Sequence, residues 1–185
     1  MIAYKGFDIG LKCRGYQFSA DKVNITDKAN CAKNGFHCAE NPLDCLTYYS
    51  NWDNAEYWIV EASGDIDEDD RDSKISCTHM KLIKKMTLKD FVAEALKYIY
   101  SHPKRENSDY VYENEAEAEN LFIISRGLNP IAAGKKGTIL GFAKENGYGS
   151  IIEIAMIEVD GECFKENTFY DIQGNEAYPQ SGGAE

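Results

Sequence analysis

The stretch that decides how this chain folds is residues 35–44, which read Gly35-Phe36-His37-Cys38-Ala39-Glu40-Asn41-Pro42-Leu43-Asp44. Phe36 and Cys38 are typical of a short strand. Asn41 is a good helix N-cap, and Pro42 suits the first helical position, where its missing N–H costs nothing. The stretch therefore predicts a strand that runs directly into a short capped helix, with His37 and Cys38 at the junction.

The segments around this stretch predict an α+β domain. Apolar, aromatic and β-branched residues predominate, or alternate with polar ones, in four expected strands at residues 2–7, 11–18, 55–62 and 74–86. Gly64 is expected to end the third strand, and the acidic run 65–72 to form an exposed loop. The clearest helix is 88–101, with an apolar stripe made of Leu88, Phe91, Val92, Ala95, Leu96 and Ile99.

The second half of the chain differs from the first in composition. Residues 104–120 are polar and acid-rich, which predicts a linker, with a short helix at 113–120 as the alternative. Glycine turns then separate four expected strands at residues 121–125, 138–143, 151–159 and 162–170. Asp160-Gly161 is typical of a hairpin turn between the last two strands.

The predicted fold class is therefore α+β, with an antiparallel or mixed sheet and one short and one long helix, followed by a small antiparallel β unit. The predicted domain organisation is an α+β domain, an acidic linker, a β-rich unit and a disordered tail, at residues 1–103, 104–120, 121–178 and 179–185.

Composition narrows the classes of function. The 185 residues carry a formal net charge of −11, which argues against direct binding to nucleic acid or to an anionic membrane and favours a basic partner. The first residues do not resemble a secretory signal, so we expect a cytoplasmic protein with its six cysteines reduced. Cys31, Cys38 and Cys45 recur every seven residues, which is not the spacing of a zinc site. We expect neither a metal nor a cofactor.

Several segments of the chain form a recognisable set: Lys12-Cys13-Arg14-Gly15-Tyr16-Gln17-Phe18, then Cys31 with residues 35–38 and 41–44, then Tyr48-Tyr49, residues 56–64 and Asp72-Ser73-Lys74. This set resembles an uncharacterised protein family of bacteriophages and prophages. The stretch 141–172 is similar to the end of longer members, which often carry a glycine- and alanine-rich tract where this chain has 104–120. The resemblance implies a phage or mobile-element setting, and no established chemistry comes with it.

An enzymatic reading remains open beside a structural one. Arg14, His37, Tyr48 and Glu61 follow the order in which ADP-ribosyl-transferring enzymes use a basic residue, an aromatic residue and a late acid around NAD. The structural interpretation places Arg14 on the exposed face of a strand, with His37 hydrogen-bonded at a strand end and Tyr48 and Tyr49 packed. A Cys–His catalytic pair is disfavoured at His37 and Cys38, because adjacent strand residues point to opposite faces. Cys77 and His79 would share a face.

The function predicted first is a small acidic phage-encoded binding protein, without catalytic activity, that inhibits a host nucleic-acid-handling defence complex. Its partner would be a basic host protein or nucleoprotein complex; the oligomeric state stays open. The candidate binding residues are the exposed acids of the two acidic segments: Asp65, Asp67, Glu68, Asp69, Asp70, Asp72, Glu113, Glu115, Glu117 and Glu119.

Overall fold

The computed structural model describes residues 1–31, 33–68, 73–104, 108–119 and 121–179. The chain divides into two compact units, Met1–Thr87 and Leu88–Glu185. The boundary therefore falls before the long helix, whereas the sequence placed it after residue 103.

The first unit is a seven-stranded antiparallel sheet with one short helix. Its strands are β1 (Ile2–Asp8), β2 (Lys12–Cys13), β3 (Tyr16–Gln17), β4 (Asn24–Ile25), β5 (Phe36–Ala39), β6 (Ala55–Glu68) and β7 (Lys74–Lys85). β1 pairs with β5 and β6, and β7 pairs with the same two strands. These four strands consequently close a ring, and the hairpin β2–β3 extends from β1.

The core of this unit is formed mainly by side chains of the four ring strands. Its buried residues include Ala3 and Phe7 of β1, Val60 of β6 and Met80 of β7. β1 is buried at all five of its inner positions, because its other face is covered by the short helix that follows β5. Burial on both faces explains why β1 reads as an apolar run rather than as an alternating strand.

The junction at residues 35–44 is confirmed. β5 leads into a 3-10 helix at Pro42–Thr47, and the Asn41 side chain accepts a hydrogen bond from the Leu43 N–H at 3.1 Å. The Asp44 carboxylate in the first turn accepts hydrogen bonds from the N–H and hydroxyl of Ser73, at 3.0 and 2.5 Å. The helix is thus fixed both to its own cap and to the start of β7.

The acidic loop expected after Gly64 is wrong in part, because β6 continues to Glu68. Gly64 has φ +77° and lies in a bulge between Ser63 and Ile66, where β6 changes register against β7 and then resumes pairing. The bulge lets β6 bend and continue rather than end. Glycine is needed there, because an added Cβ would lie 2.2 Å from Thr78 Oγ1. The remaining acids of this run, Asp69, Asp70 and Asp72, lie outside the described residues.

The second unit opens with helix α1 and continues as a five-stranded sheet. The elements are α1 (Leu88–Ser101), β8 (Val111–Glu117), β9 (Phe122–Ala133), β10 (Ile139–Glu145), β11 (Ile151–Glu158) and β12 (Tyr170–Asp171). The bounds of α1 match the prediction, and its apolar stripe is buried from Phe91 to Ile99, while Leu88 is partly exposed.

Three expectations for this unit are corrected. The sheet is mixed, because β9 runs parallel to both β8 and β10. The segment 104–120 contains strand β8 rather than a linker or a helix, with Val111 and Ala116 buried and its glutamates exposed. Residues 162–169 do not form a strand, because the Asp160 side chain accepts hydrogen bonds from the Glu162 and Phe164 N–H groups and closes a loop.

In the part of the chain that the structure describes, no helix combines the length and apolar character that crossing a membrane requires.

Candidate functional site

The first unit contains a cavity of about 410 Å³ at one end of the ring. Its walls come from β1, the β2–β3 hairpin, β5, the 3-10 helix and the start of β7. The charged side chains, the histidine and the tyrosines of the lining are Tyr4, Lys5, Asp8, Arg14, His37, Asp44, Tyr48, Tyr49 and Lys74. The fold thus gathers residues that are up to about seventy positions apart in the chain.

Three of the four residues of the ADP-ribosyltransferase hypothesis line this cavity, and the fourth does not. Arg14, His37 and Tyr48 line it, whereas Glu61 is exposed on β6 and pairs with Ile2 at the far end of β1. The hairpin that carries Arg14 leaves β1 at Asp8, six residues from Ile2, which is about 20 Å along a strand. Glu61 is therefore not part of the site.

Lys5 is the most unusual residue of the cavity. Its side chain is 4% exposed, and it lies on the same face of β1 as Ala3 and Phe7. Its Nζ donates to the His37 carbonyl at 2.7 Å and approaches the ring centroids of Phe7 and Phe18 at 5.1 and 5.3 Å. Among the described residues, no carboxylate lies within 4 Å of this ammonium group. A buried positive charge thus has no counter-charge among the residues that the structure describes.

Arg14 lies at the tip of the β2–β3 hairpin, not on a strand face as the structural reading expected. Cys13 pairs with Tyr16, so Arg14 and Gly15 form a two-residue turn with φ +47° and +81°. Such turns favour Asn-Gly, because both residues must adopt a left-handed conformation that costs an arginine about 1 kcal/mol or more. The hairpin therefore holds a guanidinium group at the cavity where the backbone alone would prefer asparagine.

Glu56 of β6 fixes the turn from which this hairpin starts. Its carboxylate is 7% exposed, and Oε1 accepts hydrogen bonds from the N–H groups of Gly10 and Leu11, at 2.9 and 2.8 Å. Oε2 forms an ion pair with Lys85 Nζ at 2.7 Å. Burial alone would raise the pKa of Glu56, but the bonds from Lys85 and the Leu11 N–H outweigh it and lower the pKa below its ordinary value.

The pKa of His37 reflects the positive charges around the cavity. Burial, followed by the positive charges of Lys5, Arg14 and Lys74, lowers the pKa of His37 to about 4. The imidazole is consequently neutral at pH 7, and among the described residues of the lining only Asp8 and Asp44 oppose the three cations. Asp44 is already engaged by Ser73. The described part of the lining is therefore net positive, in a protein of net charge −11.

Tyr48 and Lys74 form the exposed side of the cavity. Tyr48 is the C-cap residue of the 3-10 helix, and its N–H donates to the Cys45 carbonyl at 3.2 Å. Its hydroxyl accepts a hydrogen bond from Lys74 Nζ at 3.2 Å, and the same ammonium lies 5.6 Å from the ring centroid. The tyrosine ring is thereby held in place, yet 56% of it is exposed.

Cys13 and Tyr49 complete the wall between the hairpin and the helix. The Tyr49 hydroxyl donates to Cys13 Sγ at 3.1 Å, and Lys5 Nζ lies 3.6 Å from the same sulfur. Tyr49 also packs against Gly6, where a Cβ would lie 2.6 Å from Tyr49 Cδ2. Gly6 is therefore required for this close approach.

The other thiols do not form a catalytic pair. A hydrogen bond to Cys77, with burial, raises the pKa of the Cys38 thiol well above its ordinary value. The Cys77 thiol also donates to the Phe36 carbonyl at 3.5 Å, while the His79 ring is 3.0 Å from the Thr78 hydroxyl. All six cysteines are free, and the described residues include no group of three or more His, Cys, Asp or Glu side chains placed to hold a metal ion.

The acidic residues expected to bind a partner lie outside this cavity. Those that the structure describes are exposed: Asp65, Asp67 and Glu68 at the end of β6, and Glu113, Glu115, Glu117 and Glu119 on and after β8. The Asp67 carboxylate accepts a hydrogen bond from the Cys31 N–H at 2.6 Å, so part of this surface also fixes a loop. These described acids are not grouped in a way that could hold a metal ion.

Sequence reasoning missed Lys5 and Lys74 as site residues. The signal for Lys5 was available, since a lysine stands in the middle of an apolar strand, Ile2-Ala3-Tyr4-Lys5-Gly6-Phe7. Lys74 had only a weaker signal, because it ends the Asp72-Ser73-Lys74 segment of the family resemblance, and that resemblance assigns it no role.

Comparison with known proteins identifies a family without assigning a function. No curated protein and no solved structure matches the chain. The model of one family, described as a domain of unknown function (DUF7666), matches residues 1–94, which include every residue that lines the cavity. The chain belongs to this uncharacterised family.

Proposed function

We propose that the Met1–Thr87 unit binds a small anionic molecule in the cavity lined by Lys5, Arg14 and Lys74. The observation that supports the proposal is the buried ammonium of Lys5. Its hydrogen-bond partners among the described residues are all neutral. Charges removed from water are normally paired, because an unpaired buried charge costs several kcal/mol. A ligand with a phosphate or carboxylate group would supply the missing counter-charge.

The strained position of Arg14 supports the same conclusion independently. The structure gives the guanidinium no hydrogen-bond partner among the described residues, although its backbone is held at φ +47°. Residues kept in unfavourable backbone conformations are concentrated at ligand sites. A planar guanidinium at a cavity mouth is suited to a bidentate contact with a phosphate or carboxylate.

The test measures binding of phosphate, pyrophosphate and citrate to the full chain by calorimetry at fixed ionic strength. Arg14→Asn should weaken binding about tenfold or more, while Lys12→Gln should bind as the wild type does, because Lys12 is exposed on the same hairpin outside the lining. Lys5→Met should abolish binding yet leave the free protein at least as stable, since methionine removes a desolvated charge. Equal anion binding by wild type and Lys5→Met would refute the proposal.

NAD is one anion that the site residues favour, because Arg14, His37 and Tyr48 share the cavity. A transferase would need an acid other than Glu61, and the exposed carboxylate in the lining is Asp8. Calorimetry with millimolar NAD tests this alternative directly: an absence of binding excludes an NAD-dependent enzyme, and an unaltered affinity in Arg14→Asn excludes the cavity as its site.

A second candidate function is the binding of a basic host protein or nucleoprotein complex by the acidic surface, in the cytoplasm of a phage host. It is supported by the exposure of Asp65, Asp67 and Glu68 on one strand end, together with the net charge of −11. Neutralising these three residues should slow association and flatten its dependence on salt. A partner captured from host lysate whose association is insensitive to salt would exclude this candidate.

A further inference from the structure

We infer that the ligand is a nucleotide, with its phosphate against Lys5 and Arg14 and its base stacked on Tyr48. The inference rests on the proposed anion site and specifies the class of molecule that fills it. It depends on two observations that a phosphate site alone does not require, the size of the cavity and the exposed aromatic ring at its edge.

The cavity is much larger than an inorganic anion needs. Its volume of about 410 Å³ lies within the range of roughly 300–1,000 Å³ that is typical of pockets for whole small molecules. Cationic groups and an aromatic ring share this space, because Lys5 projects from β1 and Arg14 from the hairpin, while Tyr48 ends the 3-10 helix. A ligand that reaches all three must join an anionic group to a second, larger group.

Tyr48 determines what that second group is. Its ring is 56% exposed, and no aromatic side chain among the described residues packs against it. Its orientation is nevertheless fixed, since Lys74 holds the hydroxyl and the helix cap holds the backbone. A flat exposed ring beside a positively charged cavity is the arrangement with which proteins stack a base while they hold its phosphate. An aliphatic acid would leave this ring unused.

The experiment compares four nucleoside 5′-monophosphates with ribose 5-phosphate and with the free nucleosides, by calorimetry on the full chain. At least one nucleotide should bind roughly tenfold more tightly than ribose 5-phosphate, because of stacking. Tyr48→Ala should remove that difference, so that no nucleotide binds more tightly than ribose 5-phosphate does. Tyr48→Phe should preserve it, because phenylalanine keeps the ring and loses only the contact with Lys74.

The outcomes separate this inference from the anion site itself. If ribose 5-phosphate and all four nucleotides bind equally, the nucleotide inference is wrong and the anion site stands. If the phosphate compounds bind no better than nucleosides, the anion site is wrong. A 5′-phosphorylated tetranucleotide distinguishes the two possible sources of the ligand. If it binds more tightly than the mononucleotide, the natural ligand is the end of a nucleic acid. If it binds more weakly, the natural ligand is a free nucleotide.

Discussion

Replacing Glu56 by glutamine should destabilise the first unit and displace the hairpin that carries the cavity arginine. Glutamine keeps an oxygen for the N–H groups of Gly10 and Leu11, but it places an amide NH₂ against the Lys85 ammonium. A hydrogen bond to a charged group contributes about 1.5–3 kcal/mol, so the expected loss in the free energy of unfolding at pH 7 is about 2 kcal/mol. Glu56→Ala removes the backbone acceptor as well and should cost more.

The dependence on pH gives this prediction a second readout. The folded-state pKa of Glu56 is lowered from its ordinary value of 4.5, so its contribution is complete above that pH and is lost as the pH falls through the folded-state pKa. The difference between wild type and Glu56→Gln should therefore shrink below pH 4.5. Both tryptophans, Trp52 and Trp58, belong to the first unit, so fluorescence in denaturant reports its unfolding.

Glu61→Gln is the matched control for this variant, because Glu61 is exposed on the same strand and should change stability by less than about 0.5 kcal/mol. A Glu56→Gln effect below about 0.5 kcal/mol at pH 7, or one that is independent of pH, would refute the assignment of Glu56 as the anchor of the turn.

Three further substitutions test the rest of the structure. Leu96→Ala should cost about 2–5 kcal/mol, measured by circular dichroism at the helix band, because Leu96 is 2% exposed; exposed Lys97→Ala should be nearly neutral. Gly6→Ala should cost about 1–3 kcal/mol by displacing the ring above it, whereas Gly147→Ala should cost less than about 1 kcal/mol, because no atom lies within 4 Å of its added Cβ. The His37 imidazole should titrate by NMR near pH 4, and an anion bound among the neighbouring cations should move the midpoint upward; an ordinary midpoint near 6.5 in the free protein would contradict the positive cavity.

Local sequence signals predicted the fold where local contacts determine it. The Asn41 cap and helix α1 follow from hydrogen bonds and apolar spacing within one turn or one helix, and both are confirmed. The parallel pairing of β9 with β8 and β10 depends on contacts between segments, so no residue pattern within β9 could reveal it. Gly64 was misleading because the same residue type that ends a strand also permits a bulge within one.

The candidate site was predicted from residue types and their order in the chain, not from their positions in the fold. Arg14, His37 and Tyr48 were selected from their order in the chain, and the fold brings them together. Glu61 satisfied the same order, but the register of β6 against β1 places it at the wrong end of the strand. Register is set by pairing between strands about fifty residues apart in the chain, and the sequence of either strand alone does not specify it.

The closed ring of strands also governs how the chain assembles during its synthesis. β1 pairs with residues 55–61, and the ring is complete only when β7 ends at Lys85, which at about 5–20 residues per second is several seconds after β1 is made. Through that interval a strand with five inner positions destined for burial has unpaired edges, a state that favours aggregation. A charge within such a strand acts as a gatekeeper against association with other chains. We expect Lys5 to act in this way in the nascent chain, so that Lys5→Met lowers the yield of soluble protein even though the folded form is at least as stable as the wild type.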